Sequence, residues 1–180
     1  MEKGKLYLLT GNAERARIFF EINDSDTVRI LKGWSYLEEA NWENSVKEFS
    51  LVSNDTALAI TAKRLTQYAA KADEEIVQKN ALLSALFSSI VPGGGRFYTG
   101  RSGDGLFSFL TVAIPGIVSY IYWKGDRKRA FSIAIGFTAI FYIGDIYGSF
   151  VSAEEFNKVK KKEYIEEIEK ELHIKERFIK

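Results

Sequence analysis

Along the first eighty residues apolar positions recur every three or four places, then merge into unbroken runs, and finally thin into a charged tail. The first pattern predicts amphipathic helices. Leu6–Leu9 is separated by Gly11-Asn12 from a helix over Ala13–Ile22, whose apolar face carries Ala16, Phe19 and Phe20. Asn23-Asp24-Ser25-Asp26 supplies capping oxygens for the next helix, which buries Val28, Leu31, Trp34 and Leu37. After an interruption at Asn41, a further helix presents Trp42, Val46, Phe49 and Val52. Ser53-Asn54-Asp55 caps a last one with Leu58, Ala62, Leu65, Ala69, Ala72 and Ile76 on one face.

The second pattern changes the class of protein. Gly105 to Trp123 carries no charge, and Ala130 to Phe150 carries one, Asp145. About 20 apolar residues in a helix cross a hydrocarbon core of about 30 Å, and only a helix satisfies its own backbone there. These two segments predict a membrane helical hairpin. Ala81–Val91 is apolar but stops at Pro92, too short for a full span, so a re-entrant or interfacial helix is preferred to a third crossing. The fold class is therefore all-α: residues 1–78 a helical domain, 79–157 a membrane domain with spans 105–123 and 130–150, and 158–180 a charged C-terminal helix. That helix places Tyr164, Ile165, Ile168 and Leu172 on one side and Glu166/Lys170 and Glu171/Lys175 as i,i+4 pairs. It reads as a surface helix, with Lys158–Lys162 also able to meet anionic lipid at about 1 kcal/mol each.

Two resemblances refine the reading. Gly33, Tyr36, Ala40, Trp42, Ser45, Phe49 and Val52 are spaced like the small and aromatic positions of a tetratricopeptide repeat hairpin. Gly11, Ala16 and Phe20 look like the second helix of a shorter preceding copy, offset by 29 residues between Ala16 and Ser45, against about 34 in the family. An unrelated antiparallel helical hairpin remains the alternative. The stretch Pro92-Gly93-Gly94-Gly95-Arg96-Phe97-Tyr98-Thr99-Gly100-Arg101, followed by Gly105-Leu106 and Phe109-Leu110-Thr111, is similar to the "TM-two" family of paired transmembrane helices. Bacterial proteins that join helical repeats to such a module also resemble this chain through Phe141-Tyr142, Gly144 and Ile146-Tyr147-Gly148. Gly95 stands where many members carry an Asp, so no role of that acid is carried over. The resemblance implies a membrane-embedded module, a protein partner for the repeats and a bacterial inner membrane location, with no catalytic residue to inherit.

Composition excludes several functions. A net charge of +1 gives no basic bias towards nucleic acid. The absence of cysteine removes disulfides, thiolate metal sites and thiol nucleophiles. His173, the only histidine, sits among charges as a solvated helix position. The glycines of 93–105 lack the Gly-Lys-Ser/Thr ending of a phosphate loop. No catalytic, cofactor or metal residues are assigned, and no cofactor is expected. Leu6–Leu9 is too short for the core of a signal peptide; either the first span serves as an uncleaved signal or the true N-terminus lies upstream.

The candidate site residues fall in three groups. Tyr36, Trp42 and Phe49 are expected to meet a protein partner. Arg96, Arg101 and Asp145 form either a lipid-headgroup contact or an internal ion pair. A charge in mid-span costs about 2.5–3.5 kcal/mol and needs a partner, and an arginine from the loop reaches about 7.5 Å down to Asp145. Gly136, Gly144 and Gly148, in register with Ser132 and Ser152, are expected to allow close helix packing within the hairpin or between two copies of the chain. Pro115-Gly116 should kink the first span. Tyr98, Tyr120, Tyr122 and Trp123 suit interfacial belts. The function expected is a membrane-anchored interaction or scaffold protein without catalysis; the alternative is a small channel or transporter subunit using Asp145 and the Arg96/Arg101 loop. Orientation stays open, because basic residues at 124–129 and at 158–162 favour opposite faces.

Overall fold

The computed structural model describes residues 1–21, 24–53 and 58–179. The capping expectations at Asn23, Asn54 and Asp55, and the helix end at Ile22, lie outside these. Among the described residues there is no strand: the fold is all-α. The chain forms two compact units, Met1–Val77 with Lys160–Lys180, and Gln78–Val159.

In the first unit, α1 (Glu2–Leu9) and α2 (Ala13–Phe20) form one helical hairpin, and α3 (Asp26–Glu38) and α4 (Trp42–Ser50) a second. Ser25 caps α3 by accepting the Val28 N–H, and Asn41 caps α4 by accepting the Asn44 N–H. The hairpins repeat each other with a period of 29 residues. Gly4 and Gly33, Tyr7 and Tyr36, Leu8 and Leu37, Asn12 and Asn41, and Phe20 and Phe49 are all related by that offset. Packing follows the same rule in both. A Cβ on Gly33 would lie 2.3 Å from the Phe49 ring, and one on Gly4 would lie 2.6 Å from the Phe20 ring. Each glycine is therefore the floor on which its own phenylalanine rests. Gly11 and Ala40, also 29 apart, both turn the chain with positive φ, 75° and 55°. The first copy is thus a full helix pair, with Gly4 in the place that Gly33 takes in the second.

The fifth helix, α5 (Ala59–Glu75), packs against α4. The core is then completed from the far end of the chain. Ile168, Leu172, Ile174, Phe178 and Ile179 join Leu8, Phe20, Ile30, Trp34 and Leu65 in one apolar cluster. The C-terminal helix is expected to be a surface element; instead it contributes buried side chains, because its Tyr164/Ile165/Ile168/Leu172 stripe has a core to complete. Tyr164 meets Trp42 edge-on at 6.1 Å between centroids. Its hydroxyl lies 3.0 Å from both the Glu75 carboxylate and the Tyr68 carbonyl. Glu171 takes Arg64 and the Tyr68 hydroxyl, and Lys175 Nζ reaches Glu38 Oε1 at 2.7 Å. His173 ends the last helix in the left-handed region (φ 51°) with its ring exposed, and a π-helical turn, Lys175–Ile179, closes the chain.

The second unit contains α6 (Ala81–Ile90), α7 (Gly94–Tyr98), α8 (Ser102–Lys124) and the apolar portion of α9 (Lys128–Leu172). Two of these helices, α8 and α9, are long and apolar enough to cross a membrane; α6 is not. Side-chain polarity is inside out. Leu106, Phe107, Ile114, Ile117, Ile133, Ile140 and Ile143 point outward and are exposed, whereas Ser84, Ser88, Ser108, Ser119, Asp145, Ser149 and Ser152 are buried. A soluble fold hides such apolar surface; two helices that expose it suit a hydrocarbon solvent, where small and hydroxyl side chains hold helices together. α8 continues through Pro115, with Ser119 Oγ donating to the Pro115 carbonyl at 2.7 Å.

Two outcomes test this packing. Gly33→Ala should destabilise the first unit by about 1–3 kcal/mol, the usual cost of overfilling a packed core, and Phe49→Leu in the same chain should restore part of it in thermal unfolding. Burial, outweighing the opposing Lys175 N–H, raises the Glu169 carboxyl above its ordinary value. The folded form then holds a proton that the unfolded form releases near pH 4.3. This contribution is complete below that value and is lost as pH rises through the raised folded one. Glu169→Gln should flatten this part of the stability–pH curve.

Candidate functional site

The glycine-rich connection between α6 and α8 is where the second unit concentrates its polar groups. On α6, Ser84 and Ser88 stand one turn apart; on α9, Asp145, Ser149 and Ser152 follow at spacings of four and three, so each set shares a face. Ser84 Oγ donates to the Ser149 carbonyl at 2.7 Å, and the Ser88 and Ser149 hydroxyls meet at 2.6 Å. The Gly95 N–H donates to Ser88 Oγ at 3.0 Å, and Thr99 and Ser152 pair through their hydroxyls at 2.9 Å. At the outer end, Asn157 accepts the Lys79 N–H at 2.7 Å and donates to the Lys79 carbonyl at 2.9 Å. At the inner end, the Tyr142 hydroxyl donates to the Ser89 carbonyl. Side chains of α9 and α6 thereby bond the backbone of the glycine-rich connection and tie the two helices to each other.

Asp145 is the centre of this ladder. Its Oδ1 accepts from Arg96 Nη1 at 2.6 Å and its Oδ2 accepts the Gly93 N–H at 2.7 Å, with the carboxylate buried. Gly93 has φ 81°, and a Cβ there would fall 2.1 Å from the Gly105 carbonyl oxygen. A side chain at Gly95 would meet the Ser84 carbonyl at 2.2 Å. The turn is therefore closed to any residue larger than glycine at both points. Of the two loop arginines, Arg96 is the one brought to Asp145; Arg101 turns away to Asp104, at 2.5 Å, and is half exposed.

The glycine row behaves differently from its expectation. Gly148 lies beneath the ion pair, where an added Cβ would fall 2.4 Å from Arg96 Nη2 and displace the guanidinium. Gly136 and Gly144 have no atom within 4 Å of an added Cβ, so they provide no close approach inside the hairpin. The contact between α8 and α9 runs instead through the hydroxyls of Ser119 and Thr138, 3.3 Å apart, and through Gly116, whose Cβ position is 3.7 Å from Thr138 Cγ2. The expected partner face is also corrected. Phe49 is buried against Gly33, and Trp42 is buried beside Tyr164, so both are core residues. Aromatic side chains at helical spacing supply large areas for burial, and this core uses them. Tyr36 alone keeps an accessible edge, beneath the Arg17 guanidinium at 4.4 Å from its ring centroid.

The residues missed by the sequence reading are Ser84, Ser88, Thr99 and Ser149 and the Gly93 N–H. Their signal was present in the i,i+4 serines of an apolar helix and in serines that continue the face of Asp145. The assembly offers a fixed carboxylate–guanidinium pair and a set of saturated hydroxyls, an arrangement suited to holding backbone in place. No family model matches the chain, and no curated protein or solved structure matches it either.

Asp145→Ala leaves the Arg96 guanidinium and the Gly93 N–H without their acceptor. Breaking a buried pair costs about 3–5 kcal/mol, so this variant should unfold in detergent well before Asp126→Ala, a change in the exposed turn. Equal stability of the two variants would remove Asp145 from its central place.

Proposed function

We propose that this chain is a membrane-anchored interaction or scaffold protein without catalytic activity, resident in a bacterial inner membrane. The observation that carries the reading is that residues 1–77 and 160–180 build one core, while two span-length apolar helices lie between them in sequence. Segments that share a core lie on one side of a bilayer. The number of crossings between them is then even. On this reading α8 and the apolar part of α9 cross, α6 dips in without crossing, and the 124–129 turn emerges on the opposite face. The likeness of Pro92–Arg101 to the TM-two turn supports the membrane module, and the 29-residue hairpin pair supports a repeat-like recognition domain. Half-buried Tyr36 and exposed Ile60 are places from which this domain would engage a protein partner.

Asp145 weighs against the alternative of an ion path, because both its oxygens are already engaged by Arg96 and Gly93. A chain free of cysteine makes the topology directly testable. Glu43→Cys and Lys170→Cys should react with an impermeant thiol reagent from one face, and Asp126→Cys from the other. Labelling of 43 and 170 from opposite faces would sink the reading. Photo-crosslinkers at Tyr36 and Ile60 in native membranes should give discrete protein adducts. Ion flux in liposomes that is lost on Asp145→Asn would replace the scaffold with the channel.

A further inference from the structure

Between α8 and α9 the second unit leaves an open groove of about 590 Å³. Its two ends differ in chemistry. Arg96, Arg101, Asp104 and Asp145 line one, and Phe107, Val112, Ile140 and Phe141 line the rest. From Arg101 to Val112 the helix descends about 16 Å at 1.5 Å per residue, close to half of a hydrocarbon core of about 30 Å. The groove therefore runs from charged to apolar over the depth of one bilayer leaflet. In hydrocarbon such a groove does not stand empty, and its floor at Gly144 has no protein atom within 4 Å of a Cβ position.

We propose that this groove is a binding site for one zwitterionic phospholipid carrying a primary ammonium in its headgroup. The acyl chain lies along Phe107, Ile140 and Phe141 with Gly144 beneath it, and the headgroup sits at Arg101 and Asp104. The choice of headgroup follows from charge. Two guanidinium groups and two carboxylates line the polar end, so their formal charges cancel and a purely anionic headgroup gains no net attraction. Arg101 and Asp104 form an exposed ion pair, which gives way at small cost. A phosphate and an ammonium held a few bonds apart replace each partner of that pair with its equivalent. Arg96 and Asp145, tied to each other and to Gly93, stay as the wall of the site.

The inference rests on the membrane reading, which thiol labelling tests separately. The full-length protein would be solubilised from vesicles holding equal parts of phosphatidylethanolamine and phosphatidylglycerol, and the retained lipid counted by native mass spectrometry. One phosphatidylethanolamine per chain should be retained in preference to phosphatidylglycerol. Gly144→Leu fills the floor of the groove, and Arg101→Glu reverses the headgroup contact; each should lower retention about tenfold. Gly136→Leu, equally unobstructed but outside the groove, should retain lipid as the parent does. Thermal unfolding of each variant in detergent identifies any that lose lipid by losing the fold. Undiminished retention in folded Gly144→Leu, or a preference for phosphatidylglycerol, overturns the proposal. So does a lipid-free dimer that Gly144→Leu disperses, which would make a second copy of the chain the occupant.

Discussion

A carboxylate placed among apolar side chains must find partners, and the second unit is arranged around the partners that Asp145 finds. One oxygen takes the Arg96 guanidinium and the other takes the Gly93 N–H, so a single side chain fixes both the start of the glycine turn and the helix that follows it. If the span lies in a bilayer as proposed, the cost of a carboxylate there is offset by charge pairing and by a backbone donor that would itself be unsatisfied. Ser149 and Ser152 extend the same service along α9, meeting the hydroxyls of Ser88 on α6 and of Thr99 at the end of α7. The short α6 helix is held against α9 by this edge.

Close approach is the second constraint, and it takes the same form in both units. Phe49 lies on Gly33 and Phe20 on Gly4 in the helical hairpins; Arg96 lies on Gly148 and the Ser84 carbonyl on Gly95 in the glycine turn. In each case a bulky or charged group occupies the volume that a Cβ would take. Helix pairs with such contacts have little freedom to slide, because interiors at crystal-like density do not absorb an extra methyl. The two hairpins are rigid repeats for the same reason that the turn is a rigid joint.

Rigidity shapes the functional reading. The buried polar groups of the second unit are occupied by one another. The first unit, closed by the last segment of the chain through Tyr164, Glu171 and Lys175, buries Phe20, Trp34, Trp42, Phe49 and Phe178. The surface left for recognition includes half-buried Tyr36 and the exposed apolar side chains of Leu6, Leu9, Ile18, Leu51 and Ile60. The proposed scaffold role rests on a body of this kind joined to helices whose outward face is apolar.

The sequence by itself determined the elements. Three- and four-residue apolar spacing specified the helices of the first unit, apolar runs with no charge or a single one specified the two span-length helices, and Pro92 limited α6. These are local properties, written in propensity and polarity. It also placed Asp145 within reach of a loop arginine, since an isolated charge in a span demands a counter-charge. The tertiary structure decided which groups meet. It selected Arg96 over Arg101 and turned Trp42 and Phe49 from a partner face into core. It left Gly136 and Gly144 open while filling the space at Gly148. It also drew Ile168, Leu172 and Phe178 into a core begun more than a hundred residues earlier. Period alone cannot distinguish an apolar face that awaits a partner from one that the chain covers itself. That difference depends on contacts between segments far apart in sequence, which exist only once the chain has folded.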